Sequence, residues 1–408
     1  MSNKSALHQL AEFKSLQPVF DELYKSSSLS QRQREDSNGE SLQKIKKHSR
    51  QYLAYLSYEI KNESYQPSKL TPFFIKKDKK KYRIICAPTI RDKIIQKAIL
   101  KILAEKNYSL ENSISHGFMS GKGVKSALDQ ALELRIKYPF AFKTDIISFF
   151  DKIDRGILKE KIKHRIKLKS LHSLINLIVD TEIEELSQSS SLKIKSAGVK
   201  VGQGIRQGMP LSPYLSNLIL EDFDKFLIDQ NIKAVRYADD LIFFSDSFEK
   251  SKEQNALIQE ALRKVNLSIP ELEENKKSII YKPDEEAEFL GLSIKPCKNK
   301  TYKLVMPEKT KNKIRDNLSN YRNLQYCLAN NITISKLLKR LEATKGGYEQ
   351  YYDSLLEMNE INPLYDILRD LKKNIIIDLM KSSLSPDIDY SKLSKNQKKF
   401  WEIDGFDF

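Results

Sequence analysis

The amino-acid sequence predicts an α+β protein. Short runs rich in β-branched and aromatic residues alternate with longer segments whose apolar residues recur at helical spacing. Hydrophobic residues make up 40% of the 408 positions and charged residues 30%, so the chain has enough apolar surface for a sizeable core. The strand-like runs lie between residues 71 and 305, and the pattern from residue 308 onward is helical. This segregation is typical of α+β architecture.

The first third of the chain is predicted to begin with helices and to continue with a hairpin. Residues 1–24 and 43–62 have helical periodicity, and the Ser/Gln-rich stretch 25–42 between them predicts a loop. Two β-rich runs, TPFFI and YRIICAP, are joined by KKDKKK, which predicts a hairpin with a lysine-covered tip. Residues 90–107 and 121–137 follow as predicted helices.

The middle of the chain is predicted to mix strands and helices. PFAFKTDIISFFD indicates a buried strand followed by the start of a helix, and AVRYADDLIFFSD indicates two strands that meet at a charged turn. The remaining predicted elements are a Ser-rich loop near 186–198, an apolar helix from Pro213 to Ile228, a helix over 251–266 and two short strands within 287–305.

The end of the chain is predicted to be helical to about residue 382, with an aromatic and acidic tail that ends in FWEIDGFDF. We expect that tail to pack as a terminus on the body of the protein or on a second copy. The sequence therefore predicts four parts. They are an N-terminal helical extension (1–70), a mixed region (71–305), a helical region (306–382) and a tail (383–408).

The positive charge is concentrated in two stretches. The net charge is +16, from 70 Lys and Arg against 54 Asp and Glu. From Gln43 to Asn107 there are 17 basic and five acidic residues, a net of +12, and Glu308 to Lys345 adds a net of +6. Two basic patches that flank a nearly neutral middle suit a groove that binds a phosphate backbone, although solvated helical faces would show the same pattern. We expect a nucleic-acid partner.

Several classes of protein are excluded by the same composition. Three cysteines without zinc-site spacing argue against a disulfide scaffold or a zinc module. No apolar run reaches the ~18 residues of a membrane span, and the first ten residues lack the apolar core of a signal peptide. We therefore expect a soluble cytoplasmic protein with no membrane partner.

The most informative residues are acids at the ends of apolar strands. Asp239 and Asp240 are adjacent between AVRY and LIFF, and Asp145 follows the apolar run PFAFKT. Adjacent carboxylates repel each other at the rim of a buried sheet, and a divalent cation would offset that repulsion. Hard oxygen ligands suit Mg²⁺. If the two strands are neighbours in one sheet, Asp145 and Asp239 can face each other as ligands of a two-metal site.

These segments resemble the sequence blocks of reverse transcriptases. YADD resembles the catalytic hairpin, FKTDIISFFDKID the first catalytic block, and GQGIRQGMPLSPYLSNLIL the block between them. YRIICAPTIRDKIIQKAIL and SHGFMSGKGVKSAL resemble upstream blocks of the bacterial group II intron and retron lineage, while ENKKSII, FLGLSI and LLKRLEATKGGYEQYY resemble downstream blocks. The resemblance spans roughly residues 70–355. It implies a right-hand polymerase fold, with fingers and palm in 71–305 and a helical thumb in 306–382.

The resemblance implies a role for each matched residue. Asp145, Asp239 and Asp240 would be the catalytic carboxylates and, with the carbonyl of Ile146, the ligands of two Mg²⁺ ions, with Mn²⁺ as an alternative. Deoxynucleoside triphosphates would be the substrates. The remaining implied residues are nucleotide contacts at Arg83, Phe150 (the steric gate), Gln207, Gly208, Ala238 and Lys277, and nucleic-acid contacts at Lys76, Lys77, Lys81, Asn217, Tyr237, Gly291 and Arg340.

The sequence departs from the family pattern at two positions next to these blocks. Met119 stands where intron-type enzymes carry an arginine, and Arg206 replaces the common proline before Gln207. The sequence also shows no RNase H acid cluster and no HNH-type histidine pattern. The nearest relatives are therefore expected among standalone, defence-associated bacterial enzymes that copy a structured non-coding RNA, which serves as template and also as a candidate primer, into DNA.

Three alternatives stay open at this point. They are a retron enzyme that makes branched RNA–DNA, an untemplated or protein-primed DNA polymerase, and an RNA-binding scaffold or splicing cofactor. The sequence also leaves open whether the chain forms a homo-oligomer.

Overall fold

The computed structural model describes residues 4–76, 82–106, 108, 110–272, 277–298 and 301–383. Lys77 and Lys81, which the resemblance placed in the fingers, lie outside the described residues. The tail beyond residue 383 also lies outside them.

Five helices form the N-terminal part of the chain. They are α1 (Ala6–Ala11), α2 (Phe13–Ser26), α3 (Leu29–Gln33), α4 (Leu42–Lys47) and α5 (Ser49–Lys61). The single helix predicted over 43–62 is wrong in one respect, because His48 adopts φ −137° and ψ 36° and breaks it in two. The short α3 lies within the predicted loop 25–42, where Ser28 and Gln31 form a capping box.

The predicted hairpin is confirmed. Strands β1 (Thr71–Lys76) and β2 (Tyr82–Ala87) pair antiparallel, with Thr71 opposite Ala87 and Lys76 opposite Tyr82. Helix α6 (Ile90–Glu105) follows. Thr89 is its N-cap, and the hydroxyl of Thr89 accepts a hydrogen bond from the backbone N–H of Asp92.

A four-stranded sheet occupies the middle of the chain. Its strands are β3 (Phe140–Asp145), β4 (Lys233–Tyr237), β5 (Asp240–Ser245) and β6 (Ile279–Tyr281), in the order β4-β5-β3-β6. Strands β4 and β5 are joined by the two-residue turn Ala238–Asp239, as the sequence predicts. Strands β3 and β5 are neighbours, which was the condition for bringing Asp145 close to Asp239.

Helix α7 (Val124–Lys137) precedes β3. The helices between the strands of this sheet are α8 (Phe149–Lys152), α9 (Arg155–Arg165), α10 (His172–Val179), α11 (Gln188–Ser196), α12 (Ser212–Asp229) and α13 (Phe248–Arg263). The loop predicted near 186–198 is wrong, because this stretch forms α11. Ser187 caps that helix by accepting a hydrogen bond from the N–H of Ser190, and Ile194 supplies a buried anchor. A serine-rich composition predicts loops on average, but a serine at the N-cap favours a helix.

The C-terminal part of the described chain combines a small sheet with helices. Strands β7 (Ala287–Phe289), β8 (Leu292–Pro296) and β9 (Tyr302–Val305) form an antiparallel sheet, one strand more than predicted. Helices α14 (Glu308–Ser319), α15 (Leu324–Ala329), α16 (Ile334–Tyr352) and α17 (Met358–Ser383) confirm the predicted helical region.

The chain divides into two compact units. The first comprises Met1–Gly123, Thr144–Phe243 and Glu249–Ile279, and the second comprises Val124–Lys143, Phe244–Phe248 and Ile280–Phe408. The units are interleaved along the chain, whereas the sequence-based parts are consecutive, so boundaries at residues 70, 305 and 382 stay predictions. Among the described helices, none combines the length and the apolar character that crossing a lipid bilayer requires.

Candidate active site

The strand-end acids meet at one edge of the four-stranded sheet. Asp145 is the last residue of β3, Asp239 lies in the β4–β5 turn, and Asp240 is the first residue of β5. The N–H of Ile146 donates a hydrogen bond to the carbonyl oxygen of Asp239 at 3.1 Å. Because Ile146 directly follows Asp145, this bond joins the end of β3 to the β4–β5 turn. The structure therefore brings the backbones of Asp145 and Asp239 together.

The turn between β4 and β5 has an unusual backbone conformation. Ala238 has φ +57°, a left-handed conformation that a residue with a Cβ atom rarely adopts. Two-residue hairpin turns favour such angles because they match the twist of the flanking strands. Ala238 is buried, whereas Tyr237, Asp239 and Asp240 are half-buried. The turn therefore presents its acidic and tyrosine side chains while its alanine packs inward.

The donor types at this edge suit a hard divalent cation, since carboxylate and carbonyl oxygens are the ligands that Mg²⁺ prefers. Within the part of the chain that the structure describes, no group of three or more His, Cys, Asp or Glu side chains is arranged to hold a metal ion. The Asp145 carboxylate has the ammonium group of Lys277 as a neighbour, with 3.7 Å between Nζ and Oδ2. The backbone thus brings the strand ends that carry the predicted metal ligands to one edge of the sheet.

Phe150 lies just beyond Asp145, in helix α8. Its side chain is 9% exposed and contacts Phe149, which is 2% exposed, with ring centroids 5.3 Å apart at an interplanar angle of 65°. The carbonyl of Phe150 accepts a hydrogen bond from the N–H of Ile205 at 2.9 Å. Phe150 is therefore the more accessible ring of the pair and is tied through its backbone to the loop that precedes Gln207.

Gln207 and Gly208 pack against the hairpin strand β2. The carbonyl of Gln207 accepts a hydrogen bond from the N–H of Cys86 at 2.7 Å. Gly208 has φ +105°, and a Cβ atom there would meet the carbonyl oxygen of Cys86 well inside 3.0 Å. The resemblance implied that Gly208 permits a close approach to a nucleotide. The close approach seen here is to the protein's own backbone, which by itself requires glycine.

Arg83 and Lys76 are exposed on the β1–β2 hairpin, where Arg83 pairs with Ile75. The ammonium group of Lys193, in α11, lies 5.2 Å from the ring centroid of Phe74 and 5.6 Å from that of Tyr82. These cation–π contacts place α11 beside the hairpin.

Asn217 is 2% exposed and its amide is used by protein groups. Its Nδ2 donates to the carbonyl of Gly117 at 3.0 Å, and its Oδ1 accepts from Nη1 of Arg236 at 3.0 Å. The structure therefore places Asn217 in the interior rather than on a surface open to nucleic acid.

Sequence reasoning gave no role to Arg236 or to its partner Asp224. The available signal was a charged residue inside the apolar run AVRY and an acid inside the apolar helix α12.

The departure at Arg206 has a structural explanation. Arg206 is buried and its Nη2 donates to Oε2 of Glu182 at 2.7 Å, while Nη1 of Arg155 donates to Oε1 at 2.6 Å. The N–H of Gly202 also donates to Oε1 at 2.9 Å. Burial acts to raise the pKa of Glu182, but the bond from Gly202 and the two guanidinium groups outweigh it and lower that pKa. Glu182 thus holds the loop 202–206 in place.

Comparison with known proteins identifies the family. Residues 75–294, more than half of the chain, match the model of the family described as reverse transcriptase (RNA-dependent DNA polymerase). The chain belongs to the reverse transcriptase family. This membership confirms the family resemblance and, together with the helices and antiparallel sheets described above, the α+β polymerase fold class.

Two curated reverse-transcriptase relatives illustrate the lineage. The group II intron-encoded protein LtrA of Lactococcus lactis subsp. cremoris is 27% identical over 275 residues, which are 66% of this chain and 40% of LtrA. The retron Ec83 reverse transcriptase of Escherichia coli is 29% identical over 197 residues, 47% of this chain and 57% of the relative. The chain thus spans about half the length of these relatives. Among solved structures, a partial Cas6-RT-Cas1–Cas2 complex matches with a TM-score of 0.36 and 20% identity, over 64% of this chain and 42% of that one.

The last two predicted contacts of this reverse transcriptase lie in its second compact unit. Gly291 has φ +80° and forms, with Leu290 at φ +47°, the two-residue turn between β7 and β8. The hydroxyl of Tyr351 donates to the carbonyl of Leu290 at 3.0 Å, so α16 is bound to this turn. Arg340 is exposed on the same helix. The FLGL block therefore contains a tight turn at Leu290 and Gly291.

Proposed function

We propose that this protein is an RNA-directed DNA polymerase that copies a partner non-coding RNA into DNA by two-metal nucleotidyl transfer. Family membership supports the reaction class. The single observation that carries the site assignment is the hydrogen bond from the N–H of Ile146 to the carbonyl of Asp239, which supports it because it joins the backbone of the two strand ends that carry these acids. Asp145, Asp239, Asp240 and the carbonyl of Ile146 would hold the metal ions. When bound, two Mg²⁺ ions would lower the pKa of the attacking hydroxyl and hold the leaving pyrophosphate.

The other side chains would bind and orient the substrate. Phe150 would occupy the space that a ribonucleotide 2′-hydroxyl needs, which favours deoxynucleotides. Arg83 is exposed and carries a planar cation with several donors, so it suits a triphosphate. Lys277, with its ammonium group near Asp145, is placed to neutralise charge or to donate a proton beside the reacting phosphate. Gln207 would contact the incoming nucleotide, and Ala238 and Tyr237 would lie beside the primer end.

The central test removes the two turn acids together. Asp239→Ala combined with Asp240→Ala should reduce DNA synthesis on an RNA template to background and leave RNA binding unchanged. A matched control, Asp229→Ala combined with Glu260→Ala, removes two exposed acids from helices α12 and α13 and should retain activity. Undiminished synthesis by the turn variant would refute the assignment of the carboxylates.

Sequencing the RNA and DNA that co-purify with the protein would identify the product. A templated copy of an associated RNA supports the proposal, whereas template-independent product indicates a tailing enzyme. DNA attached covalently to the protein would indicate protein priming. Similarity to the retron Ec83 enzyme makes a retron product the second candidate, and a branched RNA–DNA linkage would identify it.

We also propose a role in antiphage defence, supported by the sequence resemblance to standalone bacterial reverse transcriptases. Cells that carry the gene with its neighbouring sequence should resist phage infection, and cells with the double aspartate variant should not. Equal plaque counts for the two would contradict this role.

A further inference from the structure

The strained backbone of the Ala238–Asp239 turn must be held in place by neighbouring groups. Ala238 has φ +57°, and a non-glycine residue held in such a region costs about 1–3 kcal/mol unless its surroundings enforce the conformation. The next residue is Asp239, so any relaxation at Ala238 would move a proposed metal ligand. The groups that hold Ala238 therefore bear on the proposed reaction.

One buried guanidinium group connects helix α12 to this turn. The side chain of Arg236 is 1% exposed, and its Nε donates to Oδ1 of Asp224 at 2.7 Å while its Nη2 donates to Oδ2. Its Nη1 donates both to Oδ1 of Asn217 at 3.0 Å and to the carbonyl of Ala238 at 3.2 Å. A fork of fixed donors is required for this pattern, since an ammonium group cannot serve both sides of a carboxylate and a carbonyl beyond it.

The segment 112–117 completes the support from the other side. The N–H of Arg236 donates to the carbonyl of Ile114, and the N–H of His116 donates to the carbonyl of Arg236, each at 2.8 Å. Gly117 lies directly against the turn. A Cβ atom there would fall 3.3 Å from Cα of Ala238 and closer than 3.0 Å to its nitrogen. Asn217 bonds the carbonyl of Gly117 and thereby fixes this close packing.

We propose that Arg236, oriented by Asp224 and Asn217, is a positioning residue that holds the Ala238–Asp239 turn in its strained conformation. Buried ion pairs add little net stability, because apolar replacements of the same volume are often equally stable. Arg236 instead directs one donor, Nη1, at the carbonyl of Ala238, the residue before Asp239. This role rests on the proposed polymerase function, although the conformation of the turn can be measured independently of activity.

The test compares two buried arginines. Arg236→Lys keeps the charge and loses the fork. Arg135→Lys is the matched control, because Arg135 is also fully buried and donates to the carbonyls of Tyr281, Lys282 and Glu285, none of which belongs to the turn. Three measurements are made on the full chain: kcat and KM on a template–primer, amide hydrogen exchange of the peptide containing residues 237–240, and urea unfolding.

We expect Arg236→Lys to lower kcat roughly 10–100-fold at unchanged KM for template–primer, since small misplacement of a catalytic group costs up to about 100-fold. Hydrogen exchange of the 237–240 peptide should accelerate in Arg236→Lys and stay unchanged in Arg135→Lys. Should Arg236→Lys fail to fold, Asn217→Ala serves instead, because it removes the side chain that bonds Arg236 and Gly117 and leaves the ion pair between Arg236 and Asp224 intact. This variant should show the same changes in kcat and in hydrogen exchange, at smaller amplitude.

The proposal is overturned if exchange at the turn is unchanged in both Arg236→Lys and Asn217→Ala. It is also overturned if the two lysine variants lose activity equally, in proportion to the folded fraction. If the wild-type protein makes no DNA on an RNA template, the proposed function fails, and the exchange measurement still decides the positioning role.

Discussion

Replacing Gly208 with alanine adds one methyl group at a position where the backbone φ angle and the neighbouring atoms of β2 both disfavour a side chain. The residue has φ +105°, and the new Cβ atom would lie 3.1 Å from Cγ2 of Ile85, 3.2 Å from the nitrogen of Cys86 and nearer still to its carbonyl oxygen. The backbone of Cys86 cannot easily move aside, because its N–H is bonded to the carbonyl of Gln207 at 2.7 Å.

The expected loss of stability has two parts. A non-glycine residue at this angle costs about 1–3 kcal/mol, and forcing a methyl group into a filled space adds about 1–3 kcal/mol. Gly208→Ala should therefore lower the free energy of unfolding by about 2–6 kcal/mol. Gly121→Ala is the matched control, since Gly121 has φ +68° and its Cβ atom would meet nothing within 4 Å. Gly121→Ala should therefore lower the free energy of unfolding only by the cost of the left-handed backbone, about 1–2 kcal/mol.

Urea unfolding followed by circular dichroism measures both variants against the wild type. The difference between the two alanine variants isolates the contact with β2. Equal losses of stability would refute the argument that Gly208 is required by the approach of Cys86.

Two further predictions follow from the site. Phe150→Val should raise the ratio of ribonucleotide to deoxynucleotide incorporation roughly tenfold or more, because the ring proposed to exclude the 2′-hydroxyl is lost. Phe149→Val, in the fully buried neighbour, should cost stability and leave that ratio unchanged, and a shift of the ratio in both would contradict the assignment of the gate. Glu182→Gln should destabilise the fold by about 1.5–3 kcal/mol at pH 7. Since the pKa of Glu182 is lowered from its ordinary 4.5 on folding, this difference should shrink as pH falls below 4.5 in urea titrations, and a constant difference would contradict the linkage.

The sequence by itself predicted the candidate catalytic residues and determined most of the elements that carry them. Apolar runs of strand length ending in acids predicted the positions of Asp145 and Asp239, and the two-residue turn between AVRY and LIFF was readable because strand periodicity is local. The order of the family blocks predicted that Gln207 and Phe150 belong to the same site. The strand and turn patterns depend on residues within a few positions of one another, which is the range over which hydrophobic periodicity is informative.

Only the tertiary structure decided how that turn is held. Asp224, Asn217 and Gly117 are distant in sequence from Arg236 or lie on other elements, and their bonds form only when α12 and the 112–117 segment pack against β4. The same holds for Gly208, whose glycine requirement comes from β2, more than 100 positions earlier in the chain. Helix α11 was missed because one N-cap serine outweighs a loop-like composition. Burial and close backbone contact are properties of the folded chain, so no local pattern can report them.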